Sequence, residues 1–309
     1  MLKSLLIGDN AFIGVSHLSH TRARERVRQL RLDTINEVFG EAISHSATGF
    51  AFTVHPTNLK ILTAMKEAGT LGSSFEICPI LPYAAGYVRT ANEKGVMGLI
   101  KDTMSKLPMS KPNIILKGGL SAVSLDPVGM LNAYVDMELT GIMSLRCGNL
   151  MAVLMHEVLT DLGISFQAKG LFDSFMSHIR KEYDAMPGFV TRNLVRFVRF
   201  FEGSGLSLKD TVIMTPLNSI GFQMTPSKES CESCLSQISD SHVIAMSIMA
   251  GGYLGLDAAI EYLRRLQNLS GIVAGVSSRE HAIETFTKLK MLLSEQENSS
   301  LSQRSKKVS

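Results

Sequence analysis

Short runs of aliphatic and β-branched residues alternate along the chain with longer segments whose apolar positions recur every three or four residues. The runs read as strands over residues 4–7, 49–54, 75–81, 113–116, 151–156, 188–191, 211–215, 242–247 and 271–276. Between them the spacing predicts helices over 32–44, 58–68, 96–107, 128–139, 171–183, 193–202, 227–238, 257–267 and 279–293, with Ile260, Leu263 and Leu266 as a clear instance. Strands alternating with amphipathic helices in this way form a parallel sheet.

Eight such units close into an α/β (β/α)8 TIM barrel, whereas an open doubly wound sheet often carries a glycine fingerprint after its first strand. Neither G-x-G-x-x-G nor a Walker A sequence occurs in the chain. Nine strand candidates compete for eight places. Residues 113–116 are set aside as part of an extra segment between the third and fourth units, which accounts for the long connection over 109–125. The alternative is that 113–116, and not 151–156, is the fourth barrel strand. Residues 1–293 form one barrel domain on this reading. Residues 294–309, rich in Ser, Gln, Asn, Lys and Arg, form a disordered polar tail.

Composition narrows the partners. Lys and Arg number 31 against 28 Asp and Glu, a net charge of +3 that calls for no nucleic acid. The arginine-rich run over 21–31 reads as a solvated loop or helix. Asp9 interrupts the apolar start before a signal-peptide core is reached, and the uncharged stretch 243–256 is too short to span a bilayer. A cytoplasmic protein with no membrane partner is expected. Cys231 and Cys234 form a lone C-x-x-C without a second ligand pair, so they read as ordinary helical cysteines. The 17 methionines suit an adaptable core and imply no cofactor.

In a barrel, chemistry gathers at the C-terminal strand ends. Asp9, Asn10, His55, His156, Glu157, Arg192, Asn218, Gln223 and Ser247 lie at those positions. Asp9, Asn10, His55, Glu157 and Asn218 are the candidate catalytic groups, with Glu157 and His55 as the acid-base pair because both titrate usefully near neutrality. Arg192, Arg196 and Arg199 follow helical spacing and are expected on an outer face. The final loops, Met-Ala-Gly-Gly-Tyr-Leu-Gly and Ala-Gly-Val-Ser-Ser-Arg-Glu-His, suggest an anion subsite. Gly251, Gly252 and Gly275 would let backbone amides approach a phosphate, Ser277 or Ser278 would cap the last helix, and Arg279 would add charge.

Two other chemistries stay open. Asp9, His55, His156 and Glu157 are metal-ligand types, although no metal site is assigned to them. Lys117, before Gly118 and Gly119, sits where a Schiff-base lysine could act, and a loop lysine is the plainer reading.

The segment 243–293, with Val-Ile-Ala-Met-Ser, Ala-Gly-Gly-Tyr-Leu and Gly-Val-Ser-Ser-Arg-Glu-His, resembles the last two strand-loop units of the aldo-keto reductases. That resemblance implies a nicotinamide dinucleotide, NADPH in the first place, held by its phosphate end there. The family's catalytic tyrosine motif is not matched, since Val54-His55-Pro56-Thr57-Asn58 has neither the tyrosine nor its Asn-Glu neighbours. Gly8-Asp9-Asn10-Ala11-Phe12-Ile13-Gly14 and Gly221-Phe222-Gln223-Met224 are similar to segments of uncharacterised archaeal barrel proteins, which brings no activity with it. The resulting expectation is a barrel enzyme, oxidoreductase-like first, binding a phosphorylated small molecule or a dinucleotide. A metal-dependent hydrolase or Schiff-base lyase, and a non-catalytic ligand-binding or scaffold barrel, are the alternatives. The reaction and the oligomeric state are left open.

Overall fold

The structure, a computed structural model, describes residues 4–14, 32–82 and 127–308. The chain opens with β1 (Ser4–Gly8), the single helical turn α1 (Asn10–Ile13) and α2 (Leu32–Ser44). β2 (Gly49–Thr53), α3 (Pro56–Glu67) and β3 (Glu76–Leu81) follow. After residues 83–126 come α4 (Pro127–Ser144), then β4 (Asn149–Leu150) and β5 (Ala152–Met155). The second half runs α5 (Glu157–Ser165), α6 (Lys169–Tyr183), β6 (Met186–Val190), α7 (Leu194–Ser204), β7 (Val212–Pro216) and α8 (Lys228–Gln237). It ends with β8 (His242–Met246), α9 (Leu256–Arg265), β9 (Leu269–Ala274) and α10 (Arg279–Val308).

All pairings are parallel. β1 joins both β2 and β9, and the ladder runs on through β3, β5, β6, β7 and β8 back to β9, closing the sheet. β4 extends the edge of β3 and is separated from β5 by Met151, so the two together make one stave of an eight-stave barrel. The fourth stave is therefore the 151–156 candidate. The 113–116 candidate, the 96–107 helix and Lys117 lie outside the described residues.

The strands read as unbroken apolar runs because both of their faces are covered. Inward-facing Leu6, Ala51, Cys78, Leu154, Met214, Ile244 and Val273 fill the barrel, and a thicker layer packs outward against the helices. Gly188 marks how tight the interior is: a Cβ there would meet Leu154 Cδ2 and lie 2.9 Å from both Cβ and the carbonyl oxygen of Val212. Phe189, next along β6, points the other way into a ring cluster with Phe172, Phe175, Phe197 and Phe201.

Two elements depart from the sequence reading. α5 has no counterpart in the predicted helices, because Val158 and Leu162 are exposed and blur its amphipathic pattern. α10 stays helical through 294–308, where polar composition predicts a disordered tail. Extending an existing helix by one residue needs no new nucleus, so polar residues of modest propensity can continue it.

Candidate active site

At the C-terminal ends of the strands the described residues enclose a cavity of about 500 Å³. Its floor and walls are strand-end side chains, Thr53, Ile80, Val190, Met214, Met246 and Val273, and its rim comes from the following loops. The location follows from the topology, since every parallel strand ends on the same side of the barrel.

Asp9 directly follows β1 and is 5% exposed. Its Oδ2 accepts three hydrogen bonds of 2.8 Å, from the backbone N–H and Oγ1 of Thr53 and from Nδ2 of Asn58. Asn58 is fully buried on α3, and its Nδ2 also donates to the Thr53 carbonyl at 2.9 Å. Burial raises the Asp9 carboxyl above its ordinary pKa, against the lowering effect of these donors. A raised carboxyl pKa means the folded state binds the extra proton above 3.8, so stability falls as pH rises through the folded value. Asp9→Asn, which keeps the shape and an accepting oxygen, is expected to raise the thermal midpoint at neutral pH. The gap to wild type should narrow on acidification towards 3.8. Calorimetric scans across that range check it, and a midpoint lowered at neutral pH would contradict it.

His156 closes the fourth stave and caps α5, its Nδ1 accepting the Val158 N–H at 3.2 Å. Burial holds its pKa below the usual value, opposed by Glu157 and reinforced by Arg192. The neutral ring with an occupied Nδ1 lone pair carries its proton on Nε2, which makes His156 a hydrogen-bond donor at the cavity wall.

The predicted acid-base pair is not assembled. His55 caps α3 through Nδ1, which accepts the Thr57 N–H at 3.1 Å, and it does not line the cavity. Glu157 does line it, but both of its oxygens are taken by Arg192, at 2.6 Å from Nη2 and 2.9 Å from Nε. Arg192 therefore belongs to the cavity wall and not to an outer helix face. The strand ends at Val190, which leaves Arg192 in the loop before the helical spacing begins. With Arg192 37% exposed, the pair contributes only about 0–1 kcal/mol to stability, and its consequence is geometric. Asp161 steadies the same loop by accepting from Thr191 Oγ1 at 2.7 Å and from the Arg192 N–H.

The later loops are set by Asn218, which is fully buried and outside the cavity lining. Its Oδ1 accepts the Phe222 N–H at 2.7 Å, while Nδ2 donates to the carbonyls of Phe222 at 2.9 Å and Ser247 at 3.3 Å. This side chain ties the loops after β7 and β8 together and has no part in the cavity surface. Gln223 and Ser247 line the cavity with positive φ of 60° and 51°, and Ala250 adds one of 50° behind them. Such conformations cost on the order of 1–3 kcal/mol each and persist where the surroundings impose them.

Gly251 and Gly252, at φ 72° and 104°, present backbone to the cavity beside Asn10, Gly275 and Ser277. β9 ends at Ala274, so Gly275 and Ser277 are loop residues above the strand. Ser278 caps α10, accepting the His281 N–H at 3.2 Å, and does not line the cavity. Arg279 turns away to Glu41 on α2, at 2.5 Å, and to Glu37 at 3.9 Å. The structure thus gathers Asp9, Asn10, Glu157, Gly251, Gly252, Gly275 and Ser277, and leaves His55, Asn218, Ser278 and Arg279 outside.

Thr53 and Asn58 were missed as partners of Asp9. The alternation Gly49, Ala51, Thr53 carries Thr53 to the inward face, but nothing local marks Asn58. Among the described residues no three His, Cys, Asp or Glu side chains gather as a metal site. Burial pushes the thiols of Cys231, to about 11, and Cys234 upward, which keeps them unreactive at neutral pH.

No family model matches the chain, and no curated protein sequence matches it. Among solved structures, one assigned as an aldo-keto reductase of Pseudomonas aeruginosa superposes with a TM-score of 0.55 at 10% identity, covering 94% of this chain and 92% of that one. The holo form of an aldo-keto reductase from Bacillus halodurans gives 0.52 at 10% identity, over 93% and 87% of the two chains. At this identity the likeness is one of fold, a (β/α)8 barrel.

Proposed function

We propose that this barrel is an oxidoreductase-type enzyme that binds a nicotinamide dinucleotide, NADPH first, at the C-terminal strand ends and exchanges hydride with a carbonyl or alcohol substrate in the same cavity. The observation that carries the reading is that the glycine-bearing loops after β8 and β9 open onto the cavity that also holds Asp9 and His156. The fold shared with aldo-keto reductases supports it.

Gly251, Gly275 and Ser277 fit a phosphate group, because glycine backbone without Cβ lets N–H groups reach an anion, while Gly252, whose N–H donates to the Met249 carbonyl at 2.8 Å, shapes the turn beside them. Arg192 is the only lysine or arginine among the described lining residues and is already paired, so anion recognition falls on backbone N–H groups. When bound, the dinucleotide supplies or accepts the hydride. The His156 Nε2–H would hold the substrate oxygen, and Ile80, Val190, Met214 and Met246 would keep water from the reacting end. Among the described residues no helix is long and apolar enough to cross a membrane.

Thermal unfolding with NADPH, NADH or inorganic phosphate tests the proposal. A dinucleotide at about 100 times its Kd stabilises by roughly 2.7 kcal/mol. A rise in midpoint with a dinucleotide that phosphate alone does not reproduce is the expected result. An equal rise with phosphate would point to a phosphorylated metabolite instead. No rise with any of the three would leave a ligand-binding or scaffold barrel of another kind.

A further inference from the structure

Resting on the dinucleotide reading, we propose that Asp9 is the proton-exchanging residue of the cavity, its Oδ1 delivering a proton to the substrate carbonyl oxygen during reduction and recovering it during oxidation. The argument begins with the unequal surroundings of its two oxygens. Oδ2 holds three donors at 2.8 Å, which leaves no room there for a proton. Among the described residues only Thr53, Asn58 and Asp9's own backbone N–H donate to the carboxyl. When the carboxyl is protonated, the proton therefore sits on Oδ1, on the side left to the cavity that Asp9 lines.

The other candidates are engaged. Glu157 is held bidentate by Arg192, and His55 lies off the cavity. His156 is neutral with its proton on Nε2, and losing that proton would create an imidazolate, so it can orient an oxygen but not acidify it. No tyrosine or lysine occurs among the described lining residues. Among the described residues no charged side chain bonds to the Asp9 carboxyl, and the charged or titratable groups sharing its cavity are His156, Glu157 and Arg192. Its environment already favours the protonated acid through burial.

The step balances. With hydride supplied by a reduced nicotinamide, the carbonyl carbon gains a C–H bond, the C=O π pair moves to oxygen, and that oxygen forms O–H with the proton leaving Oδ1. The carbonyl is reduced, the nicotinamide is oxidised, and the Asp9 carboxylate is reprotonated from water.

Infrared difference spectroscopy of the full chain against pH, wild type minus Asp9→Asn, isolates the Asp9 carboxyl from that of Asp161, which burial also raises. The expected result is a protonated-carboxyl band that survives above the ordinary aspartate range. Thr53→Val, which removes one donor to the carboxylate, should move its loss to higher pH. With NADPH and 4-nitrobenzaldehyde as the probe, kcat/KM should fall on the alkaline side of the same titration. Asp9→Asn should lower kcat by about 100-fold or more while keeping the NADPH-induced thermal shift, in line with general acid catalysis.

A difference spectrum without that band, or an Asp9→Asn enzyme with unchanged kcat and pH profile, overturns the role of Asp9 alone. A wild type that no dinucleotide stabilises overturns the functional reading, and the proton-donor role with it. Even where the aldehyde is not reduced, the infrared titration reads the Asp9 carboxyl and the dinucleotide-induced thermal shift reads the functional proposal, so the two failures are distinguishable.

Discussion

Phe189→Ala is expected to lower the unfolding free energy by about 3–5 kcal/mol, the usual cost of deleting a buried aromatic ring. Phe189 is fully buried on the outer face of β6. Its ring centroid lies 5.5 Å from Phe172, 5.7 Å from Phe175, 5.3 Å from Phe197 and 5.4 Å from Phe201. These rings belong to α6 and α7, so one side chain joins a barrel strand to the two helices that cover it. The neighbours cannot collapse into the space without moving those helices, because Gly188 on the same strand already sits against Leu154 and Val212 on the inner side. Urea unfolding should show a lower midpoint with the slope retained, and a loss below about 1 kcal/mol would mean the cluster repacks freely.

Gly252→Val should act on binding. At φ 104° valine is a backbone outlier, which costs on the order of 1–3 kcal/mol if the loop holds its shape. If the loop relaxes instead, the turn closed by the 2.8 Å bond from the Gly252 N–H to the Met249 carbonyl opens, and the backbone proposed to face the phosphate moves. Strain held equally by the free and the bound loop lowers stability and leaves Kd alone, so it is the second route that should weaken NADPH, by roughly tenfold or more, each factor of ten corresponding to about 1.4 kcal/mol. Gly205→Val is the matching control. Gly205 has φ 70° at the C-cap of α7, beyond the cavity lining, so valine there should reduce stability without changing the NADPH Kd. Equal loss of NADPH affinity in both variants would show that backbone strain, and not the loop's contact with ligand, is being measured.

The barrel was legible because parallel strands covered on both faces leave unbroken apolar runs, as Leu5, Leu6 and Ile7 do in β1. The same logic failed for α5, whose Val158 and Leu162 are exposed, so the face that periodicity would have to mark is missing. For the site, position along a strand was readable and partnership was not. Asp9 and the loop glycines were found from their places after strands. Glu157 and His55 were ranked first by titration range alone, yet an arginine at a neighbouring strand end occupies one and a helix cap occupies the other. Arg279 was misread for a similar reason, because the pairing of α10 with α2 brings it to Glu41, 238 residues earlier in the chain. Asn58 shows the limit most plainly, as a buried amide whose purpose appears only once β1 and β2 lie side by side.

Isothermal titration of NADPH into the wild-type protein tests the central claim most directly. The account predicts saturable one-site heat that is lost or strongly weakened in Gly252→Val and retained in Gly205→Val. Absence of saturable heat at two well-separated temperatures would contradict the claim that the loops after β8 and β9 hold a dinucleotide.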